Sequence, residues 1–155
     1  MLTTIQICLV LHITGIIILA GLTLASYTMS LQSWKYIYSD KAKAVLINSS
    51  SMILGRIMGL GGLLTIVSGF VMVSILREGV TAQLWFRIKM LLVILIVLNG
   101  AFYARRQNTK LAKLLSSEQI TEGSKINAVK KNLNFCFLLQ FILFLVIFVL
   151  SVFRF

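Results

Sequence analysis

Few residues inside the apolar parts of this chain have chemistry to offer. Lys89 lies in the stretch Leu84-Trp85-Phe86-Arg87-Ile88-Lys89, which opens an apolar run ending near Tyr103. A lysine at the centre of a membrane helix costs roughly 3 kcal/mol on insertion scales. A partner, a ligand, water, or snorkelling of the amine to the interface must offset that cost. The single histidine, His12, lies at a similar depth in another apolar run. Two readings follow. In one, His12 and Lys89 form a functional pair. In the other, Lys89 snorkels and His12 is a packed, hydrogen-bonded residue.

Other chemistry is missing from these runs. Asp40, Glu78, Glu118 and Glu122 all fall in expected loops or turns. Ion-coupled carriers commonly use acids inside the membrane, so that class is disfavoured. The chain has no His-Glu-x-x-His, Cys-x-x-Cys or Walker loop. One histidine with two distant cysteines does not make a zinc site. No triad for nucleophilic hydrolysis is visible. An imidazole, a deep amine, an arginine above it and a glycine-bearing wall remain. Those groups suit haem b: His12 as axial ligand to the iron, Arg87, Arg77 or Lys89 toward the propionates, and glycines to admit the macrocycle. Met72, near the end of the second run, is a packing residue or a haem ligand. A quinone or another anionic amphiphile suits the same groups nearly as well.

The elements that must position these residues are long helices. The chain has 155 residues, 59% of them hydrophobic, and a mean hydropathy of +0.97. Four apolar runs, roughly Thr4–Met29, Met52–Leu76, Leu84–Ala104 and Leu133–Phe153, approach the ~20 residues needed to span a bilayer. Spans this short must satisfy their own backbone hydrogen bonds, and the runs lack the alternation of barrel strands. The expected fold is therefore all-α, a single domain forming a four-helix membrane bundle. The first run has no basic segment before it and no clear cleavage site, so it reads as a retained helix, not a signal peptide.

Along the chain, Ile5, Cys8, His12, Gly15, Leu19, Leu22 and Ser26 fall on one face of the first helix. The segment Ser30–Ser51 carries Trp34, Tyr36 and Tyr38, suited to a headgroup belt, and has room for a short surface helix. Gly55, Gly59, Gly62 and Gly69 form a stripe on the second helix, and such stripes serve tight helix packing. The short turn Arg77–Gln83 makes helices two and three antiparallel neighbours. Asn99, at mid-membrane, needs a partner, and an interhelical hydrogen bond is expected. Leu111, Leu114 and Leu115 extend helix three as an amphipathic segment. Helix four is rich in Phe, with Gln140 its main polar group.

The net charge is +11. Most of it lies in the two segments Ser30–Ser51 and Arg105–Lys131, where topology and anionic headgroups account for it, and nucleic-acid binding is not expected. Both segments then face the cytoplasm and both termini face out. At ~1.5 Å per residue, His12 lies about 12 Å and Lys89 about 8 Å below the outer boundary. Met72 shares that layer. Cys8 and Cys136 are expected at levels about 20 Å or more apart, too far for a disulfide.

The stretch Leu11-His12-Ile13-Thr14-Gly15-Ile16-Ile17-Ile18-Leu19-Ala20-Gly21-Leu22 resembles the first helix of small membrane proteins of the CopD and HemJ type. Trp85-Phe86-Arg87-Ile88-Lys89-Met90-Leu91-Leu92-Val93 is similar to their Trp-x-x-x-Lys-Leu helix. The resemblance covers helices one to three. Leu19 stands where that pattern has an aromatic residue, and Asn99 lies where relatives often carry a histidine-containing segment. For HemJ the resemblance implies haem binding and protoporphyrinogen oxidation, with His12 and Lys89 as the functional pair and Lys89 in a catalytic role. For CopD it implies copper handling. The functional expectation is thus a haem-binding, redox-linked protein of a bacterial cytoplasmic (inner) membrane. The alternatives are a non-catalytic accessory subunit of a larger membrane complex, and a small-molecule or metal carrier. Expected partners are the lipid bilayer and either another membrane protein or further copies of this chain.

Overall fold

The computed structural model describes residues 2–76, 83–116 and 123–153. These residues fold into α1 (Leu2–Tyr36), α2 (Lys41–Leu76), α3 (Leu84–Val97), a π-helical segment (Leu98–Ala104), α4 (Arg105–Ser116) and α5 (Gly123–Phe153). The π segment joins α3 to α4 without a break, so the described residues form four rods. All four, Thr3–Tyr36, Lys41–Ile75, Leu84–Ser116 and Gly123–Phe153, are long and apolar enough to cross a membrane. The protein is an all-α four-helix bundle with no strand among the described residues.

The helices outrun the apolar spans. α1 has 35 residues, or ~52 Å at the usual rise, against ~30 Å of hydrocarbon. The segment Ser30–Ser51 is therefore not a loop with a surface helix. It is the end of α1, a turn at 37–40, and the start of α2. The turn closes because Asp40 caps α2: its Oδ1 accepts the Lys43 backbone N–H at 3.0 Å, and its carbonyl accepts that of Ala44 at 3.0 Å. An aspartate at a helix start satisfies an orphan donor and meets the positive end of the helix dipole. α5 likewise begins at Gly123, about three turns before its apolar run.

These extensions carry the main core. Trp34, Ile37, Ala44, Leu111, Leu115, Ile126, Val129, Leu133 and Phe137 form one buried cluster, with Tyr27, Tyr36 and Leu114 packed against it. It joins α1, α2, α4 and α5 at the end of the bundle that bears the basic segments. Trp34, expected in a headgroup belt, is instead buried here. Tyr38 is exposed.

Away from this basic end the packing changes. α1 and α2 form a tight hairpin, α3 lies against α5, and α3 meets α1 and α2 marginally at most. The second and third rods therefore touch through α4, not through the α2–α3 neighbour contact that a short connection implied. The connection itself, 77–82, lies outside the described residues.

The hairpin closes on glycine, at Gly15 and Gly61 and, of the expected stripe, at Gly69, where a Cβ would lie 3.0 Å from Cε1 of His12. A Cβ on Gly15 would lie 2.8 Å from the Gly61 carbonyl oxygen and 2.9 Å from the Thr65 nitrogen. A Cβ on Gly61 would lie 2.6 Å from Cγ2 of Ile18. Gly55 and Gly59 have no such neighbour within 4 Å, and Gly62 has only Cδ2 of Leu19 at 3.7 Å. The packing face of α2 runs through Gly61, Thr65, Ser68 and Met72, at the i, i+4, i+7, i+11 spacing of one helix face.

Candidate functional site

His12 sits on α1 where the Gly15–Gly61 crossing brings α2 close. Its Nδ1 lies 2.8 Å from the Thr65 carbonyl oxygen and 3.1 Å from the Ser68 hydroxyl oxygen. A carbonyl cannot donate, so Nδ1 carries the proton and donates to Thr65. Ser68 directs its own proton to the Leu64 carbonyl at 2.6 Å, which leaves its oxygen free to accept from the same Nδ1–H. The Nε2 of a neutral ring then holds a lone pair, and among the described residues it has no hydrogen-bond partner. A histidine that ligates a metal is oriented in this way, with its other ring nitrogen bonded to a carbonyl.

Gly69 makes room for the ring. A Cβ there would lie 3.0 Å from Cε1 and 3.3 Å from Nδ1 of His12. Thr65 supports the arrangement by donating its hydroxyl to the Gly61 carbonyl at 2.9 Å. Thr65 and Ser68 are the site residues that the sequence reading passed over, whereas Gly69 was placed in the glycine stripe. The signal for Thr65 and Ser68 was the face they share with Gly61, a mixture of small and hydroxyl side chains that a search for glycine alone does not register.

Lys89 projects from the second turn of α3 and is half-buried. It lies close enough to His12 for its charge to act on the ring. Two helices with little mutual packing thus bring their ionisable groups within electrostatic reach, at the end of the bundle where α3 stands apart from the hairpin. Arg87, in the first turn of α3, is exposed, and Met72 is half-buried on α2 one turn beyond Ser68. Arg77 lies outside the described residues.

Among the described residues no group of three or more His, Cys, Asp or Glu side chains is placed to hold a metal ion. A bare ion at His12 would therefore have little protein coordination, whereas haem iron brings four ring nitrogens of its own. The residues fit haem in one respect, the orientation of the imidazole, whose Nδ1 is held by the Thr65 carbonyl. Cys8 and Cys136 are both buried free thiols.

At mid-bundle Asn99 makes the expected interhelical bonds. Its Nδ2 donates to the Cys136 carbonyl and to Oε1 of Gln140, each at 2.9 Å. Asn99 stands in the π segment, the kind of distortion that often re-aims a side chain in a membrane helix.

Fold and site together define a class: a small all-α membrane protein with an oriented imidazole and an amine near one end of the bundle. No known protein family, curated protein or solved structure matches the chain in comparison. Its function is accordingly argued from the site itself.

Proposed function

We propose that this chain is an integral protein of a bacterial cytoplasmic membrane that binds haem b in its outer leaflet and takes part in redox chemistry there. The carrying observation is the Nδ1–H bond of His12 to the Thr65 carbonyl, which reserves Nε2 for a ligand. His12 would hold the iron, and Lys89 and Arg87 would offer cations to the propionates. Haem, when bound, supplies one-electron redox chemistry. The chain's own residues orient the imidazole through Thr65 and Ser68. Lys89 places a positive charge beside whatever anionic group occupies the site.

The test is an absorption spectrum of purified protein, oxidised and reduced, from cells supplied with a haem precursor. A Soret band that His12→Ala abolishes, and that Lys89→Met leaves in place with impaired turnover, is the expected result. A folded wild-type protein with no Soret band under these conditions rules the reading out.

A second reading, a non-catalytic accessory subunit, draws on a different observation. Only 6% of the most apolar window of the third rod is buried within the bundle, which leaves that rod free to pack on another membrane protein. A stable partner co-purifying in mild detergent with no bound chromophore would favour it.

A further inference from the structure

The basic end carries a feature that the proposed haem site does not use. Arg105, Arg106, Thr109, Lys110 and Lys113 fall along one face of α4, and together with Phe102 they line a shallow concavity of about 480 Å³. The opposite face of α4 is fixed: Gln107, Leu111 and Leu115 are buried, the two leucines within the main core cluster. The cationic face is therefore held outward by packing and cannot roll away. No carboxylate lines the concavity.

Its height is as telling as its charge. Phe102 is 68% exposed and stands where the apolar run ends, one turn before the four cations begin. A ligand lying there meets an aromatic surface on the hydrocarbon side and guanidinium and ammonium groups on the headgroup side. Guanidinium groups bind phosphate oxygens through paired hydrogen bonds, and ammonium groups act as point charges. A soluble phosphate compound would use the cations but not Phe102 at the hydrocarbon edge. An acyl-chain lipid uses both. Four cations also exceed what one phosphate monoanion neutralises.

We infer that the concavity formed by Phe102, Arg105, Arg106, Thr109, Lys110 and Lys113 is a discrete binding site for an anionic phospholipid, with preference for a headgroup bearing two phosphates. This goes beyond diffuse attraction of a basic surface to an anionic leaflet, because a site selects headgroups and saturates.

The experiment is native mass spectrometry of the full chain in detergent, titrated with cardiolipin, phosphatidylglycerol or phosphatidylcholine. A saturable single cardiolipin adduct is expected, with phosphatidylglycerol weaker and phosphatidylcholine weakest. The variant Arg105→Gln/Arg106→Gln/Lys110→Gln should weaken it by about tenfold or more. The variant Lys35→Gln/Lys130→Gln/Lys131→Gln, which removes the same charge from elsewhere on the same end, should bind as wild type. If the first variant fails to fold, Arg106→Gln/Lys110→Gln carries the test with an intermediate loss expected. Equal losses in both charge-matched variants, or no preference over phosphatidylcholine, would overturn the site. Displacement of cardiolipin by an equal concentration of pyrophosphate would assign the concavity to a soluble phosphate compound and overturn the lipid proposal.

Discussion

His12 donates from Nδ1 to the carbonyl oxygen of Thr65 across 2.8 Å, tying a side chain of α1 to the backbone of α2. The bond depends on the missing side chain at Gly69, where a Cβ would come within 3.0 Å of Cε1. Gly69→Val should therefore push the ring off the carbonyl and destabilise the hairpin by about 1–3 kcal/mol from overpacking. Thermal melting in detergent reads the effect, and any haem band should fall with it. An unchanged melting temperature would mean that the ring has a second resting place.

Glycines on α1 and α2 should respond very unequally to substitution. Gly15→Ala sets a methyl against backbone atoms of Gly61 and Thr65 at under 3.0 Å, so the helices must separate, with a cost of about 1–3 kcal/mol. Gly59→Leu meets nothing within 4 Å of its Cβ and should stay within about 0.5 kcal/mol of wild type. Equal destabilisation by the two variants would contradict the observed crossing.

Asn99→Leu removes both bonds of the amide and leaves Gln140, only 5% exposed, without its partner. A loss of about 0.5–2 kcal/mol is expected, in the range of interhelical hydrogen bonds in membranes. Asn99→Leu/Gln140→Leu should recover part of it, because an apolar pair leaves no orphaned group. A double variant less stable than the sum of both singles would count against this assignment.

Orientation is tested at the C-terminus. Lys35, Lys41, Lys43, Arg56, Arg105, Arg106, Lys110, Lys113, Lys125, Lys130 and Lys131 account for eleven of the fifteen basic residues, and all but Arg56, which stands midway along α2, lie toward one end of the bundle. The basic end should be cytoplasmic. A reporter fused after Phe155 should be active outside the cytoplasm. Strong cytoplasmic activity of that fusion would invert the proposed depth of His12 and Lys89.

The four rods were legible because apolar length alone marks a membrane helix, and Asn99 because an amide in hydrocarbon demands a partner. The extents of the helices were less legible. Ser30, Ser33, Asn48 and Ser51 look like loop residues, yet all four are buried between rods. There they keep a helical backbone because tertiary packing overrides local composition. Trp34 was misplaced for the same reason: an aromatic near a span end suits a belt and a core equally well, and only the length of the hairpin decides between them. The glycine stripe misled at Gly55 and Gly59, which match a packing pattern satisfied, in this fold, by Gly15 and Gly61, while Gly69 of the same stripe does pack, against His12. His12 and Lys89 could be read as ionisable groups at similar depth. The carbonyl that orients His12 belongs to the backbone, and no residue type announces it.

The core cluster at the basic end has a consequence for how this protein should come apart. Its residues lie mostly beyond the apolar spans, within reach of water, and it is where the α1–α2 hairpin and the rods carrying α4 and α5 are fastened together. Inside hydrocarbon, apolar burial gives helices no advantage over contact with lipid tails. Near water it does. Urea added to protein in vesicles should thus unfasten this cluster first. Two separate helix pairs would be left threaded through the bilayer, each still helical, with the alignment of His12 and Lys89 lost.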